Sequence, residues 1–164
     1  MPPAYTEYEG ADDEAKARRW VEDVLSQELE GESTHEALKS GVALCQLANK
    51  LREGAVKKIS KLPSPFPQRE NVRAFIEAAR SLGVPEAELF DTDDLFEARN
   101  MRQVMICLAS LGRVAHTVDG YDGPTWQKPV NAKAYAGKKD AQYEVKDDAL
   151  WGKTNGEYVA TRHN

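Results

Sequence analysis

The sequence predicts an all-α fold of four main helices joined by short helical turns, followed by an extended C-terminal tail. Apolar residues recur at the three- and four-residue spacing of a helix face in four separate segments. No segment alternates apolar and polar residues in the manner of a half-buried strand. After residue 117, the chain has few aliphatic residues and is interrupted by glycines and prolines. We therefore predict an N-terminal arm (1–12), a helical domain (13–118) and a tail (119–164).

The first predicted helix covers residues 13–29. Its apolar face consists of Ala17, Trp20, Val21, Val24, Leu25 and Leu29. Its opening residues are rich in aspartate and glutamate, which favour the positive end of the helix dipole, and Gly31 marks its end. The following loop is predicted to hold one short helical turn, capped by Ser33 or Thr34.

The second predicted helix, residues 41–51, is apolar over a wide arc and is expected to lie deep in the core. Three prolines within five residues follow it, at positions 63, 65 and 67. Because proline interrupts helices, we predict an irregular surface connection there. The third helix then runs from Gln68 to Leu82, since Gly83 ends it and Pro85 prevents its continuation.

The last part of the domain contains short helical turns over 86–89 and 93–97 and a final helix over 98–114. The two cysteines, Cys45 and Cys107, both fall within apolar helical patterns. A secreted disulfide fold would place several cysteines between turns, so we expect two buried free thiols.

Charge is distributed unevenly along a chain whose formal net charge is −5. Seven basic and two acidic residues lie between positions 50 and 73, whereas six acidic and no basic residues lie between positions 86 and 97. An acidic protein is a poor general ligand for nucleic acid, but one basic strip suits an acidic protein surface. The candidate contacts, called the basic strip below, are Lys50, Arg52, Lys57, Lys58 and Lys61. The alternative, that both runs are solvated faces, remains open.

The chain has no residue pattern typical of an enzyme, a metal site or a nucleotide site. Its three histidines are isolated from one another, and neither zinc-ligand spacing nor a glycine-rich phosphate loop is present. Asp91 and Asp93 resemble the first ligands of a calcium loop. However, the fifth position of that loop, which needs an oxygen ligand, is Leu95, and the sixth position, which needs glycine, is Phe96. We expect no catalytic residue, cofactor or metal, and a capping role for the aspartates. No apolar run approaches the roughly 20 residues of a membrane span, so a cytoplasmic location is expected.

The tail carries six aromatic residues spaced five to nine positions apart, from Tyr121 to Tyr158. This spacing fits no helix and indicates an extended segment that uses aromatic anchors, on its own domain or on a partner. Trp126 and Trp151 are the candidate partner contacts. The alternative is a mobile tail.

A family resemblance is carried by one tryptophan and four stretches that occur in order along the chain. Trp20 lies in the first helix, and LKSGVALCQLANKL, REGAVKKISK, ENVRAFIEAARSLGV and LFDTDDLFEARNMRQVMICLASLGR follow it. From about residue 15 to residue 114 the chain thereby resembles a calponin-homology domain of the single-domain calponin and transgelin type. Within this pattern we expect Asn71 and Asn100 to be buried or capping hydrogen-bonding residues.

The resemblance implies a cytoskeleton-associated protein whose partner is chiefly filamentous actin, bound, cross-linked or regulated through the domain and its tail. The chain departs from strong actin-binding members in having one such domain instead of two in tandem, and its tail holds no clear copy of the short calponin repeat. The alternative hypothesis is a signalling adaptor whose domain binds a non-actin protein or is masked by its own tail. Microtubule binding is a third hypothesis. No nucleic-acid or membrane partner is expected.

Overall fold

The computed structural model describes residues 13–125, and this range contains six α-helices, two 3₁₀ helices and no strand. The α-helices are α1 (Asp13–Leu25), α2 (Thr34–Leu38), α3 (Val42–Leu51), α4 (Pro65–Leu82), α5 (Thr92–Phe96) and α6 (Met101–Val114). The 3₁₀ helices are Glu86–Glu88 and Ala115–Thr117. The prediction of an all-α domain is confirmed, with α1, α3, α4 and α6 as the four main helices.

These four long helices enclose one hydrophobic core. Helix α3 is buried along most of its length and packs against α4 and α1, as its wide apolar arc predicts. The largest fully buried side chains include Trp20, Phe75, Leu38, Leu44, Leu47, Leu95 and Leu108. Burial of each side chain of this size contributes about 1.5–3 kcal/mol, so the helix interfaces hold the fold together. Cys45 and Cys107 lie in the same core with free thiols, as predicted.

Helix α1 ends at Leu25, well before the predicted end at residue 29. It stops because Ser26 adopts a left-handed conformation with φ of 58°. Leu29 nevertheless remains buried, since its amide donates to Glu22 Oε2 at 2.9 Å and its carbonyl accepts from Arg18 at 2.6 Å. A non-helical residue therefore continues the apolar stripe of α1, and periodicity alone extended the predicted helix too far.

Helix α4 begins at Pro65, earlier than the predicted start at Gln68. The prediction that the prolines exclude regular helix is therefore wrong for Pro65 and Pro67. Both lie in the first turn, where the backbone N–H has no intrahelical acceptor and proline loses nothing by lacking it. Ser64 precedes them in an extended conformation and is the N-cap residue.

The predicted capping residues occupy the starts of the short helices. Ser33 Oγ accepts a hydrogen bond from the amide of Glu36 at 3.1 Å, and the Glu36 carboxylate accepts from the Ser33 amide at 3.2 Å, which closes a capping box on α2. At the start of α5, Asp94 Oδ2 accepts from the Asp91 amide at 2.9 Å. Asp91 is thus the N-cap residue of α5 and Asp94 is its capping partner, whereas the carboxylate of Asp93 pairs with Arg69.

Helix α6 begins at Met101, later than the predicted start at residue 98. Ala98 has φ of 53°, which is incompatible with a right-handed helix. Asn100 is the N-cap, and its Oδ1 accepts from the Gln103 amide at 3.2 Å. The expectation that Asn100 is a capping residue is confirmed.

The first residues of the predicted tail pack back onto α1. Trp20 Nε1 donates to the carbonyl oxygen of Pro124 at 3.0 Å, and the Tyr121 hydroxyl donates to the same oxygen at 2.5 Å. Thr125 is buried, and the Tyr121 ring packs against the core. Residues 119–125 therefore lie against the helical domain. The N-terminal arm and the remainder of the tail fall outside the described residues.

Candidate functional site

The five residues of the basic strip lie at the end of α3 and in the α3–α4 connection that follows. Lys50 is in the last turn of α3 and Arg52 is its C-cap residue. Lys57, Lys58 and Lys61 belong to the connection itself, and all five side chains are exposed. All five predicted basic side chains are thus exposed within the single segment 50–61, whose Leu51 and Val56 are buried.

A first asparagine fixes the backbone of this connection. Asn49 Nδ2 donates to the Val56 carbonyl at 3.0 Å, and the Val56 amide donates to Asn49 Oδ1 at 2.7 Å. The side-chain amide thereby satisfies both backbone groups of one loop residue. Since the Val56 side chain is also buried, the connection is anchored immediately before Lys57 and Lys58.

A second asparagine fixes the connection at its other end. Asn71 Nδ2 donates to the Ser60 carbonyl at 2.7 Å, and the Ser60 amide donates to Asn71 Oδ1 at 3.0 Å. Asn71 Nδ2 also donates to the Ser40 carbonyl at 3.0 Å, and the residue is only 3% exposed. The expectation of a buried hydrogen-bonding role for Asn71 is confirmed. Lys57 and Lys58 therefore project from a backbone segment held at both ends.

The lysines of the basic strip form no ion pair within the described range, 13–125. Arg52 differs, because its guanidinium donates to Ser81 Oγ at 2.6 Å on the neighbouring helix α4. Exposed ammonium groups on a fixed backbone contribute positive charge to this surface, and no carboxylate of the described residues pairs with them.

The acidic run is, in contrast, largely paired with arginines. Arg69 bridges Asp93 and Glu97, and Arg80 pairs with Glu86. The pKa of Arg69 is raised above its ordinary value, chiefly by the hydrogen bond to Asp93. Four of the six carboxylates of the acidic run, with Glu88 beside Arg113, thus take part in ion pairs, whereas the lysines of the basic strip take part in none within residues 13–125.

Two exposed apolar residues at the end of the connection were not predicted from the sequence. Leu62 is 62% exposed and Phe66, in the first turn of α4, is 72% exposed. Between residues 13 and 125 they are the only large hydrophobic residues that are exposed. The signal that could have identified them is their position among the prolines, which direct this segment to the surface. Of the predicted aromatic anchors, Trp126 and Trp151 lie outside the described residues.

Among the described residues both cysteines are buried, and His35 lies against a backbone carbonyl. Burial raises the pKa of the Cys45 thiol to about 12 and raises that of Cys107 further still. His35 Nε2 lies 3.2 Å from the Phe96 carbonyl oxygen, within hydrogen-bonding distance. Residues 13–125 contain no group of histidine, cysteine, aspartate and glutamate side chains that could hold a metal ion, and no helix there is long and apolar enough to span a bilayer.

Comparison with known proteins identifies similar sequences over the helical domain. Residues 11–117 match the family model described as the calponin homology (CH) domain. Myophilin of Echinococcus granulosus is 41% identical over 115 residues, and calponin-2 of Mus musculus is 40% identical over 104 residues. Rac guanine nucleotide exchange factor B of Dictyostelium discoideum is 40% identical over 111 residues. The match to myophilin covers 69% of this chain and 60% of myophilin. The match to calponin-2 covers 63% of this chain and 34% of calponin-2. The match to the exchange factor covers 67% of this chain and 9% of the exchange factor.

Solved structures share the same fold. The calponin-homology domain of Rng2 from Schizosaccharomyces pombe superposes with a TM-score of 0.59 at 24% identity, covering 73% of this chain and 76% of that one. An inhibitor-bound structure of Vav1 gives a TM-score of 0.58 at 23% identity, covering 86% of this chain and 28% of that one. At these identities the likeness establishes the helical architecture and nothing about partners.

Proposed function

The chain belongs to the calponin homology family, and on that premise we propose that it is a cytoplasmic, actin-filament-associated binding protein whose basic strip contacts the acidic filament surface. The observation that carries this proposal is the set of exposed lysines without ion pairs on a backbone fixed by Asn49 and Asn71. Electrostatic complementarity of this kind raises the association rate and selects partners of opposite charge.

A fixed backbone matters for the affinity of such a contact. Ordering a flexible loop on binding costs free energy that reduces affinity. The backbone of the connection is already held by hydrogen bonds at Val56 and Ser60. Only the lysine side chains then need to be ordered when a partner binds.

Binding, rather than catalysis, also fits the chemistry of the domain. Its two thiols are buried and protonated at neutral pH, so neither is a ready nucleophile. We therefore propose that the protein has no enzymatic activity of its own and contributes a docking surface.

A second candidate function is that of a signalling adaptor whose domain binds a protein other than actin. Two observations favour it: a relative of similar identity is named as a Rac guanine nucleotide exchange factor, and residues 119–125 pack against the domain. In this case the tail regulates access to the domain, and filament binding by the full chain is weak or absent.

Co-sedimentation of the full chain with actin filaments tests the first proposal. We expect the wild-type protein to pellet with filaments at low salt and Lys58→Glu to bind about fivefold more weakly, which corresponds to about 1 kcal/mol. Arg102→Glu is the matched control, because Arg102 is an exposed residue of α6 and its reversal changes the net charge equally. Failure of the wild-type chain to pellet would contradict filament binding, and equal weakening by both variants would contradict a role for the basic strip.

A further inference from the structure

The end of the α3–α4 connection presents large apolar side chains to solvent. Leu62 and Phe66 are 62% and 72% exposed, whereas the other large hydrophobic residues of the described chain are buried or partly buried. A single exposed leucine is ordinary on a protein surface. Two large apolar side chains four positions apart are more than the fold itself requires, because neither contributes to the core.

The backbone beneath these two side chains is ordered by local hydrogen bonds. The Leu62 amide donates to Ser60 Oγ at 3.2 Å, and Ser60 is itself held by Asn71. Phe66 occupies the first turn of α4 between Pro65 and Pro67, whose rings restrict the backbone. An apolar side chain displayed on such a backbone loses little conformational entropy when it is buried by a partner.

The segment that leads into the apolar pair is positively charged. Lys57, Lys58 and Lys61 precede it directly, and α4 has no acidic residue in its first turn. The amino-terminal end of α4 adds a partial positive charge to the same region. An apolar centre bordered by exposed ammonium groups matches the usual anatomy of a protein interface, in which apolar anchors are surrounded by a polar rim.

We infer that Leu62 and Phe66 are the apolar anchor of the basic strip, and that the two together dock an acidic protein surface carrying an apolar patch of its own. This inference rests on the proposed function and specifies the contact chemistry of the same site. The lysines provide long-range attraction and salt dependence, whereas the apolar pair provides affinity that persists when salt screens the charges.

A protein partner is favoured over an anionic membrane by the small extent of the apolar face. This face is restricted to one leucine and one phenylalanine, whereas interfacial membrane binding uses an extended apolar helix face.

The test compares apolar and charge variants of the full chain in co-sedimentation with actin filaments at low and at physiological salt. We expect Leu62→Ser/Phe66→Ser to bind about tenfold more weakly at both salt concentrations, as truncation of an apolar anchor does. Lys57→Glu/Lys58→Glu should lose most of its binding at low salt and show a flatter salt dependence. Phe66→Leu is the conservative control and should retain most of the wild-type affinity.

Thermal unfolding provides the folding control. Because both side chains are largely exposed, Leu62→Ser/Phe66→Ser should keep the wild-type melting temperature, and the single variant Leu62→Ser serves if it does not. Wild-type affinity of the serine variants at both salts would overturn the inference while leaving the proposed function intact. No pelleting of the wild-type chain would overturn the proposed function and this inference with it. If the serine variants lost binding to phosphatidylserine vesicles but bound filaments as tightly as the wild-type chain, Leu62 and Phe66 would be assigned to membrane binding instead.

Discussion

A Cβ atom on Gly41 would lie 2.6 Å from the Cβ of Asn71 and 2.8 Å from the backbone nitrogen of Val72. The start of α3 therefore approaches α4 as closely as the backbone permits. This approach brings the Ser40 carbonyl within reach of the Asn71 side chain, which in turn holds Ser60 of the α3–α4 connection. A single glycine at a helix junction thus supports the display of lysines more than fifteen residues away in the sequence.

Gly41→Ala is expected to lower the free energy of unfolding by about 2–5 kcal/mol. About 1–2 kcal/mol comes from placing a side chain at φ of 77°, and the overlap with Asn71 adds about 1–3 kcal/mol. Gly54→Ala is the matched control, because Gly54 has φ of 81° but nothing within 4 Å of the added Cβ. Urea denaturation measures both variants, and equal losses would show that the close approach costs nothing.

Asn49→Ala should release the connection beside Lys57 without changing its charge. The Val56 amide loses its acceptor, so we expect its hydrogen exchange to accelerate at least about tenfold, equivalent to about 1.4 kcal/mol. The Ser60 amide is bound to Asn71 and should keep its protection, which makes it an internal control measured by NMR in the same sample. Unchanged protection at Val56 would contradict the anchoring role of Asn49.

The two buried thiols should make the fold less stable at alkaline pH. In the unfolded chain a thiol ionises above about pH 8.5, whereas burial keeps Cys45 protonated until about pH 12 and Cys107 beyond it. Between these values the unfolded state binds fewer protons, so the free energy of unfolding is highest below pH 8.5 and falls by about 1.4 kcal/mol per pH unit for each thiol. Urea denaturation across this range measures the slope.

Cys45→Ala/Cys107→Ala is the control for the alkaline slope. Its unfolding free energy should be lower at neutral pH, because two buried side chains are truncated, but it should depend less on pH. The pKa of Tyr121 is also raised by burial, so a smaller decline should persist above about pH 10. An unchanged slope in the alanine variant would attribute the effect to groups other than the thiols.

Ser64→Asp is expected to stabilise the fold and weaken partner binding at once. The Ser64 side chain makes no capping hydrogen bond and α4 has no acidic residue in its first turn, so a carboxylate there should add about 0.3–1 kcal/mol through the helix dipole. The same carboxylate lies close in sequence to Lys61 and should weaken docking to an acidic surface a few-fold. Ser64→Asn has a similar shape without the charge, and an equal effect of both variants on filament binding would exclude an electrostatic cause.

The main helices and several caps could be predicted from the sequence because they depend on local periodicity and local chemistry. The capping roles of Ser33 and Asn100 and the burial of the two cysteines were predicted in this way. Helix ends were less predictable, because Pro65 and Pro67 are compatible with a first turn and incompatible with any later one. The pattern alone does not state which turn they occupy.

The candidate site could be predicted only in part, and the reason differs from the one that applies to the helix ends. The basic strip is visible as a run of charge, but its anchoring by Asn49 and Asn71 depends on hydrogen bonds across 7 and 11 residues. Such bonds depend on the path of the connection, which composition does not specify. The exposure of Phe66 was missed because large apolar side chains are expected in the core until the fold leaves no room for them.

The hydrogen bond from Trp20 to Pro124 bears on where the chain can be cut. It joins residues 104 positions apart, and the Tyr121 hydroxyl shares the same acceptor. A truncation after residue 118 would remove that acceptor, leave the buried indole N–H of α1 without it, and uncover the surface beneath Thr125. Instability of such a fragment would then reflect damage to the first helix rather than loss of the tail. A deletion meant to isolate the contribution of the tail should therefore begin after Thr125.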